Sequence, residues 1–182
     1  MKVKINKVTI QTQIADIWSL SVAAVVNATD TDLTLRPELV ARAGADVVRE
    51  ISLIGYCAVG SAVITSGGAL PFRKIIHAVG PRWGEGAERG KLASATYESL
   101  QLAEQHGLKS IALPAISTGT LGYPLENCAT TMLTTIVDYT FEELKALKTI
   151  VLALDDQHSL EVFDRELSRQ IQSLGEEGAA TV

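Results

Sequence analysis

The chain has 182 residues, of which 47% are hydrophobic and 20% charged, enough material for one well-filled globular core. A net charge of −5 argues against a broad basic surface holding a nucleic-acid backbone, and an aromatic content of 5% leaves little for stacking single-stranded bases. No apolar run reaches the length of a membrane span, and Met1-Lys2-Val3-Lys4 leads into alternation rather than a signal-peptide core, so no membrane partner is expected and the expected location is cytoplasmic. Val3, Ile5, Val8 and Ile10 stand among Lys and Gln in near-alternation, which predicts a first strand wetted on one face. Ala23-Ala24-Val25-Val26 predicts a central strand buried on both faces and ending at Asn27. From Pro37 to Ile54 the apolar residues Leu39, Val40, Ala43, Val47, Val48 and Ile51 fall on one side of a predicted helix, with Gly55 just past its end. A strand from Ser61 to Thr65 follows, then a turn from Ser66 to Pro71, then a strand from Lys74 to Val79 stopped by Gly80-Pro81. Gly90 to His106 predicts a helix closed by Gly107, and Ser110 to Pro114 a short buried strand. Leu125 to Thr140 predicts a helix with Pro124 at its first position. Thr149 to Leu154 is the last expected strand and Leu160 to Leu174 the last helix; 175–182 have almost nothing to bury and are expected to fray.

Strands alternating with helices, without a composition break or internal repeat, predict one α/β domain over 1–174, a mostly parallel sheet with helices on both faces. Ligands of such sheets bind beyond the strand carboxyl ends. Asn27, Gly80 and Ser117 each follow a predicted strand, so their loops can meet at one crevice. In Leu113 to Pro124 a strand runs through a glycine-punctuated turn onto a helix. Gly119 and Gly122 permit positive φ and close approach, which lets N–H groups converge on a phosphate at the positive end of the helix dipole. The same glycines would also serve a plain strand-to-helix connection. Cys57 and Cys128 belong to no CxxC or Cys/His cluster, so reduced buried thiols are expected, with no metal and no cofactor.

Ala15-Asp16-Ile17, Ala24-Val25-Val26-Asn27-Ala28, Gly60 to Thr65, Leu70-Pro71, Ile75 to Trp83 and Pro114 to Gly119 resemble, in order and spacing, the macrodomain family. The resemblance runs from about Val3 to Leu174. It implies an ADP-ribose-binding fold, a three-layer α/β/α sandwich around a mixed sheet. It also implies that Asp16 accepts from the exocyclic amine of adenine, with the Ile17 backbone beside it. Without the family, Asp16 reads as a helix or turn cap. Asn27 is implied near the distal ribose, its other reading being a turn residue bonding its own backbone. Ser117, Thr118, Gly119, Thr120, Leu121, Gly122 and Tyr123 match the family's phosphate loop, Tyr123 flanking the ribose, walling the groove or packing on the helix it precedes. His77 lies inside a strand and reads as a buried imidazole bonded to a neighbour, outside the site. His106 sits at a helix end and needs no further role.

Members that release ADP-ribose from proteins typically read Asn-Ala-Ala-Asn, a glycine run, then Val-Asp at the next helix. This chain reads Asn27-Ala28-Thr29-Asp30-Thr31-Asp32-Leu33-Thr34-Leu35-Arg36-Pro37-Glu38, without the glycines and with Arg36 near the place of the helix-start aspartate. The loop is similar to that of a histone-variant macrodomain that acts as a binding module. Leu154 or Asp155 stands where many members place an aromatic against adenine, and Phe163 is too far along to replace it. The resemblance therefore implies binding of ADP-ribose or of ADP-ribosyl groups, free, acetylated, protein-linked or at a polymer end. The partner is ADP-ribose or an ADP-ribosylated molecule, and no catalytic residue is assigned. Two alternatives stay open: hydrolysis of an ADP-ribose ester or conjugate through Asp30, Asp32 or Glu38, and a structural domain whose pocket has degenerated.

Overall fold

In the computed structural model, which describes residues 1–176, twin apolar surfaces on the central strands set the layering. Val25 and Val26 are neighbours on strand β3 (Ala24–Thr29), yet they face different cores, as do Ile75 and Ile76 on β5 (Lys74–Val79). Successive strand side chains point to opposite faces, so a strand with apolar residues on both faces must be covered twice. One cover is α3 (Glu88–Gln105), α4 (Leu125–Tyr139) and α5 (Gln157–Glu176), which bring Leu92, Leu100, Cys128, Met132, Phe163 and Leu167 against Val26 and Ile76. The other is α1 (Pro37–Ala43) and α2 (Ala45–Ile54), whose Leu39, Val47 and Ile51 pack with Val25 and Ile75. The result is the three-layer α/β/α sandwich.

With β1 (Lys2–Ile5), β2 (Val8–Ile14), β4 (Ala62–Ser66), β6 (Ser110–Leu113) and β7 (Thr149–Leu154), the sheet has seven strands in the order β1-β2-β7-β6-β3-β5-β4. The five central strands run parallel, and β1 and β4 pair antiparallel at the two edges. All five parallel strands thus end along one rim.

The structure corrects several sequence expectations. The expected first strand is a hairpin: Ile5 pairs with Val8, and Asn6 turns the chain at φ 56°. The expected helix from Pro37 to Ile54 is two helices, broken at Gly44 with φ 84°. The cause is tertiary. The Ala43 carbonyl, which an unbroken helix would bond to the Val47 N–H, accepts instead from Ala69 N–H at 2.8 Å. Asn27 does not end its strand but sits within β3, opposite His77 of β5. Pro124 caps α4 rather than opening it, and α3 and α5 each begin earlier than expected, at Glu88 and Gln157. Residues 175 and 176 belong to α5, and the rest of the expected frayed tail, 177–182, lies outside the described residues. No helix among the described residues is long and apolar enough to cross a membrane.

Candidate functional site

Sheet order spaces the sequence-predicted residues along the rim. Asp16 follows β2, the glycine loop follows β6, and Asn27 lies near the end of β3. Three strand intervals of about 4.8 Å put the ends of β2 and β3 roughly 14 Å apart, with the loop of β6 between them.

Asp16 caps the short 3-10 turn Ile17–Ser19, its Oδ1 accepting from Trp18 N–H at 3.2 Å. Its other oxygen lies 3.5 Å from Arg42 Nη1 of α1. Both side chains are about half exposed, at 52% and 48%, so this pair is wet and weakly held. The cap uses one oxygen and leaves the other facing a cation that solvent or a ligand can displace. Ile17 opens the turn, where an N–H has no intrahelical acceptor.

Asn27 is buried, and its Nδ2 lies 3.1 Å from His77 Nδ1. His77 is also buried, and its Nε2 lies 2.9 Å from Thr65 Oγ1. Burial drives the His77 pKa down to about 4, against an opposing pull from Glu50, so the imidazole is neutral at pH 7.

The glycine loop is braced from within. Tyr123 N–H donates to Ser117 O at 2.9 Å, Gly122 N–H to Gly119 O at 3.0 Å, and Thr118 Oγ1 to Ala115 O at 2.8 Å. The N–H groups of Gly119, Thr120 and Leu121 donate to no acceptor among the described residues. They stand just before the N-terminus of α4, where the helix dipole adds its positive end. Ser117 holds φ 68°, a conformation that costs a non-glycine residue energy, and its buried Oγ has no hydrogen-bond partner among the described residues. A Cβ on Gly80 would come within 2.2 Å of that Oγ, so the loops after β5 and β6 touch only because residue 80 is glycine. Tyr123 is buried edge-on against Trp83, with ring centroids 5.0 Å apart, and Trp83 N–H donates to Leu121 O at 2.9 Å.

The segment after β3 is closed on itself. Leu33 is buried at φ 57°, its N–H donating to Asp30 O at 2.9 Å. Asp30 Oδ1 accepts from Thr34 N–H at 3.1 Å, and Thr29 Oγ1 donates to Thr34 O at 2.8 Å. Asp30, Asp32 and Glu38 are all exposed. Past β7, Asp156 caps α5 through Ser159 N–H at 2.8 Å, and that bond holds its carboxyl below the usual range. Cys57 and Cys128 are free and buried, and burial raises both thiols. Among the described residues no three His, Cys, Asp or Glu side chains group so as to hold a metal ion. A groove of about 360 Å³ between α3 and α4, lined by Tyr97, Tyr139 and Glu142, and one of about 540 Å³ near Lys109 and Lys148, both lie away from the rim. Convergent donors, not volume, mark the rim as the candidate.

The Macro domain family model matches residues 26–132, from within β3 to the middle of α4, and so takes in the amide, the two touching loops and the start of the helix behind them. The chain belongs to the macro domain family. A Macro domain-containing protein of Chlorobaculum tepidum is 38% identical over 160 residues, 85% of this chain and 92% of the relative. A Pantoea vagans protein named O-acetyl-ADP-ribose deacetylase 1 is 35% identical over 158 residues, 81% of this chain and 92% of its own length. Among solved structures, a mutant of the Oceanobacillus iheyensis macrodomain with ADPR superposes with a TM-score of 0.86 at 29% identity, over 94% of this chain and 98% of that one. Within this macro domain, sequence reasoning gave no individual role to Trp83, Arg42 or Thr65, although Trp83 and Thr65 lie in the matching segments. Trp83 carried one signal, an aromatic directly after Gly80-Pro81-Arg82 in a chain poor in aromatics. Arg42 and Thr65 carried none, since only the fold brings them to Asp16 and His77.

Proposed function

We propose that this macro domain binds ADP-ribose or an ADP-ribosyl end, adenine against Asp16 and Ile17, diphosphate over Ser117 to Tyr123, distal ribose beside Asn27. The observation that carries the reading is the sheet order β2-β7-β6-β3, which lines up an anionic acceptor, a loop of unsatisfied N–H groups and a buried amide in the order of the ligand's own parts. The Oceanobacillus iheyensis relative solved with ADPR supports it. One domain spanning at least 1–174 carries the function, and the two free cysteines fit a reducing, cytoplasmic setting.

Recognition rather than turnover is the reading we prefer, because Leu33 fills the core where a mobile loop would be needed and Asp30 already accepts a backbone N–H. Hydrolysis of an ADP-ribose ester is the second reading, favoured by the name of the Pantoea vagans relative. Calorimetric titration with ADP-ribose, ADP and AMP tests the proposal. Saturable binding of ADP-ribose is the expected result; no heat and no shift in melting temperature with any of the three would leave a degenerated pocket.

A further inference from the structure

Asn27 can face a ligand in two ways, with its carbonyl oxygen or with its amide nitrogen, and those choices recognise opposite chemistry. We propose that His77 is a positioning residue that fixes this choice, Thr65 holding its ring as the Nε2–H tautomer so that the Asn27 amide nitrogen is spent on His77 Nδ1 and its oxygen is turned to the crevice. The inference rests on the ADP-ribose reading of the site.

The direction of each bond follows from counting protons. Thr65 Oγ1 has one hydrogen, and we assign it to Ser66 O, which lies 3.0 Å away and can only accept. Its 2.9 Å contact with His77 Nε2 can then be a hydrogen bond only if the imidazole donates. A neutral imidazole has one N–H, so Nδ1 must accept, and the donor at 3.1 Å is Asn27 Nδ2. The far end of the chain is pinned as well. Glu50 of α2 accepts from Ser66 N–H at 3.1 Å and Ser66 Oγ at 2.6 Å, which fixes the strand end carrying Thr65. Asn27, His77 and Thr65 are buried, so water cannot readily exchange for the two bonds that join them, while Ser66 and Glu50 at the far end are partly exposed. An oxygen presented by Asn27 accepts from hydroxyls, which is the chemistry of a ribose edge; an amine or ammonium could also donate, but a bare phosphate oxygen could not.

Two measurements test this. Nitrogen-15 chemical shifts of His77 in the unliganded protein should show a protonated Nε2 and a bare Nδ1; the Nδ1–H tautomer would overturn the assignment whether or not any ligand binds. Calorimetry should then show that Thr65→Val loses about three- to tenfold in ADP-ribose affinity, while ADP, which lacks the distal ribose, stays within about twofold. Thr65→Ser, which keeps the hydroxyl, should restore ADP-ribose affinity to near wild type. Equal losses for ADP and ADP-ribose, or no loss for either, would reduce His77 and Thr65 to structural polar groups. Should Thr65→Val fail to fold, the wild-type tautomer decides. Failure of the wild type to bind ADP-ribose would overturn the functional reading and leave the tautomer result standing by itself.

Discussion

The geometry of Asp16 leaves room for both purposes that sequence reasoning set against each other, the turn cap and the proposed adenine contact. Capping needs one carboxylate oxygen, which receives Trp18 N–H, and the other is left beside Arg42. A polar ligand group arriving there replaces a half-exposed ion pair, a weak competitor. Asp16→Ala should therefore weaken ADP-ribose by about 1–3 kcal/mol, since the ligand loses a charged acceptor while the turn loses only a surface cap. Calorimetry on the variant checks this, and unchanged affinity would remove Asp16 from the site. Asn27 was legible as the polar residue closing an apolar run, whereas its place inside β3 and its bond to His77 were not, because residues fifty positions apart meet only through the parallel register of β3 and β5. Ser117 gave no sequence sign of its positive φ or its orphaned hydroxyl.

At the scale of elements, β5 and β7 were readable to the residue because each is an apolar run with an abrupt polar, Gly or Pro boundary. The β1–β2 hairpin was not, since the Asn6-Lys7 doublet interrupts the alternation by a single residue and carries no glycine or proline to mark a turn. Nor was the break between α1 and α2 legible, because the acceptor that ends α1 is claimed by Ala69 from a distant turn. The glycine loop was the most legible part of the site, its strand, turn and helix being contiguous. Gly119 offers a sharp test of its proposed role. Its φ lies outside the left-handed region and a Cβ there would meet nothing within 4 Å, so Gly119→Glu should fold with a melting temperature close to wild type. A carboxylate beside the unsatisfied N–H groups of Thr120 and Leu121 would compete with a diphosphate and repel it, and ADP-ribose affinity should fall by about two orders of magnitude or more. A folded variant that still binds at wild-type strength would move the diphosphate elsewhere.

Across the whole molecule, buried and capped groups set the dependence on pH. His77 has its pKa lowered to about 4 by burial, so the unfolded chain binds a proton between pH 6.5 and 4 that the folded protein refuses. The contribution is fully present above pH 6.5 and is lost as pH falls towards 4, by roughly 3 kcal/mol. Glu104 acts in the same direction at lower pH. Burial raises its carboxyl, but the N–H groups of Leu147, Lys145 and Ala146 outweigh that and leave it below the usual range, so its share fades as pH falls below about 4.3. Urea unfolding should show stability dropping between pH 7 and 4, and His77→Gln should flatten that slope even if it lowers stability at pH 7. An identical slope in the variant would shift the acid sensitivity to the carboxylates. The same scale bears on the proposed preference for recognition over catalysis, because turnover needs a base, a water and a closing loop brought to one place. Here the loop after β3 is anchored by Leu33 in the core and by bonds from Asp30 and Thr29 to Thr34, and its carboxylates are exposed. Exposed carboxylates keep their hydration, and an anchored loop cannot close to exclude water or align an attack. Loss of a positioned general base commonly costs about 10²–10⁴ in rate. The protein should therefore remove ADP-ribose from a mono-ADP-ribosylated acidic side chain at least about a hundredfold more slowly than a hydrolytic macrodomain assayed in parallel. Comparable turnover on the protein conjugate would overturn the recognition reading, and Asp30→Ala, Asp32→Ala and Glu38→Ala would then identify the carboxylate that reaches the water.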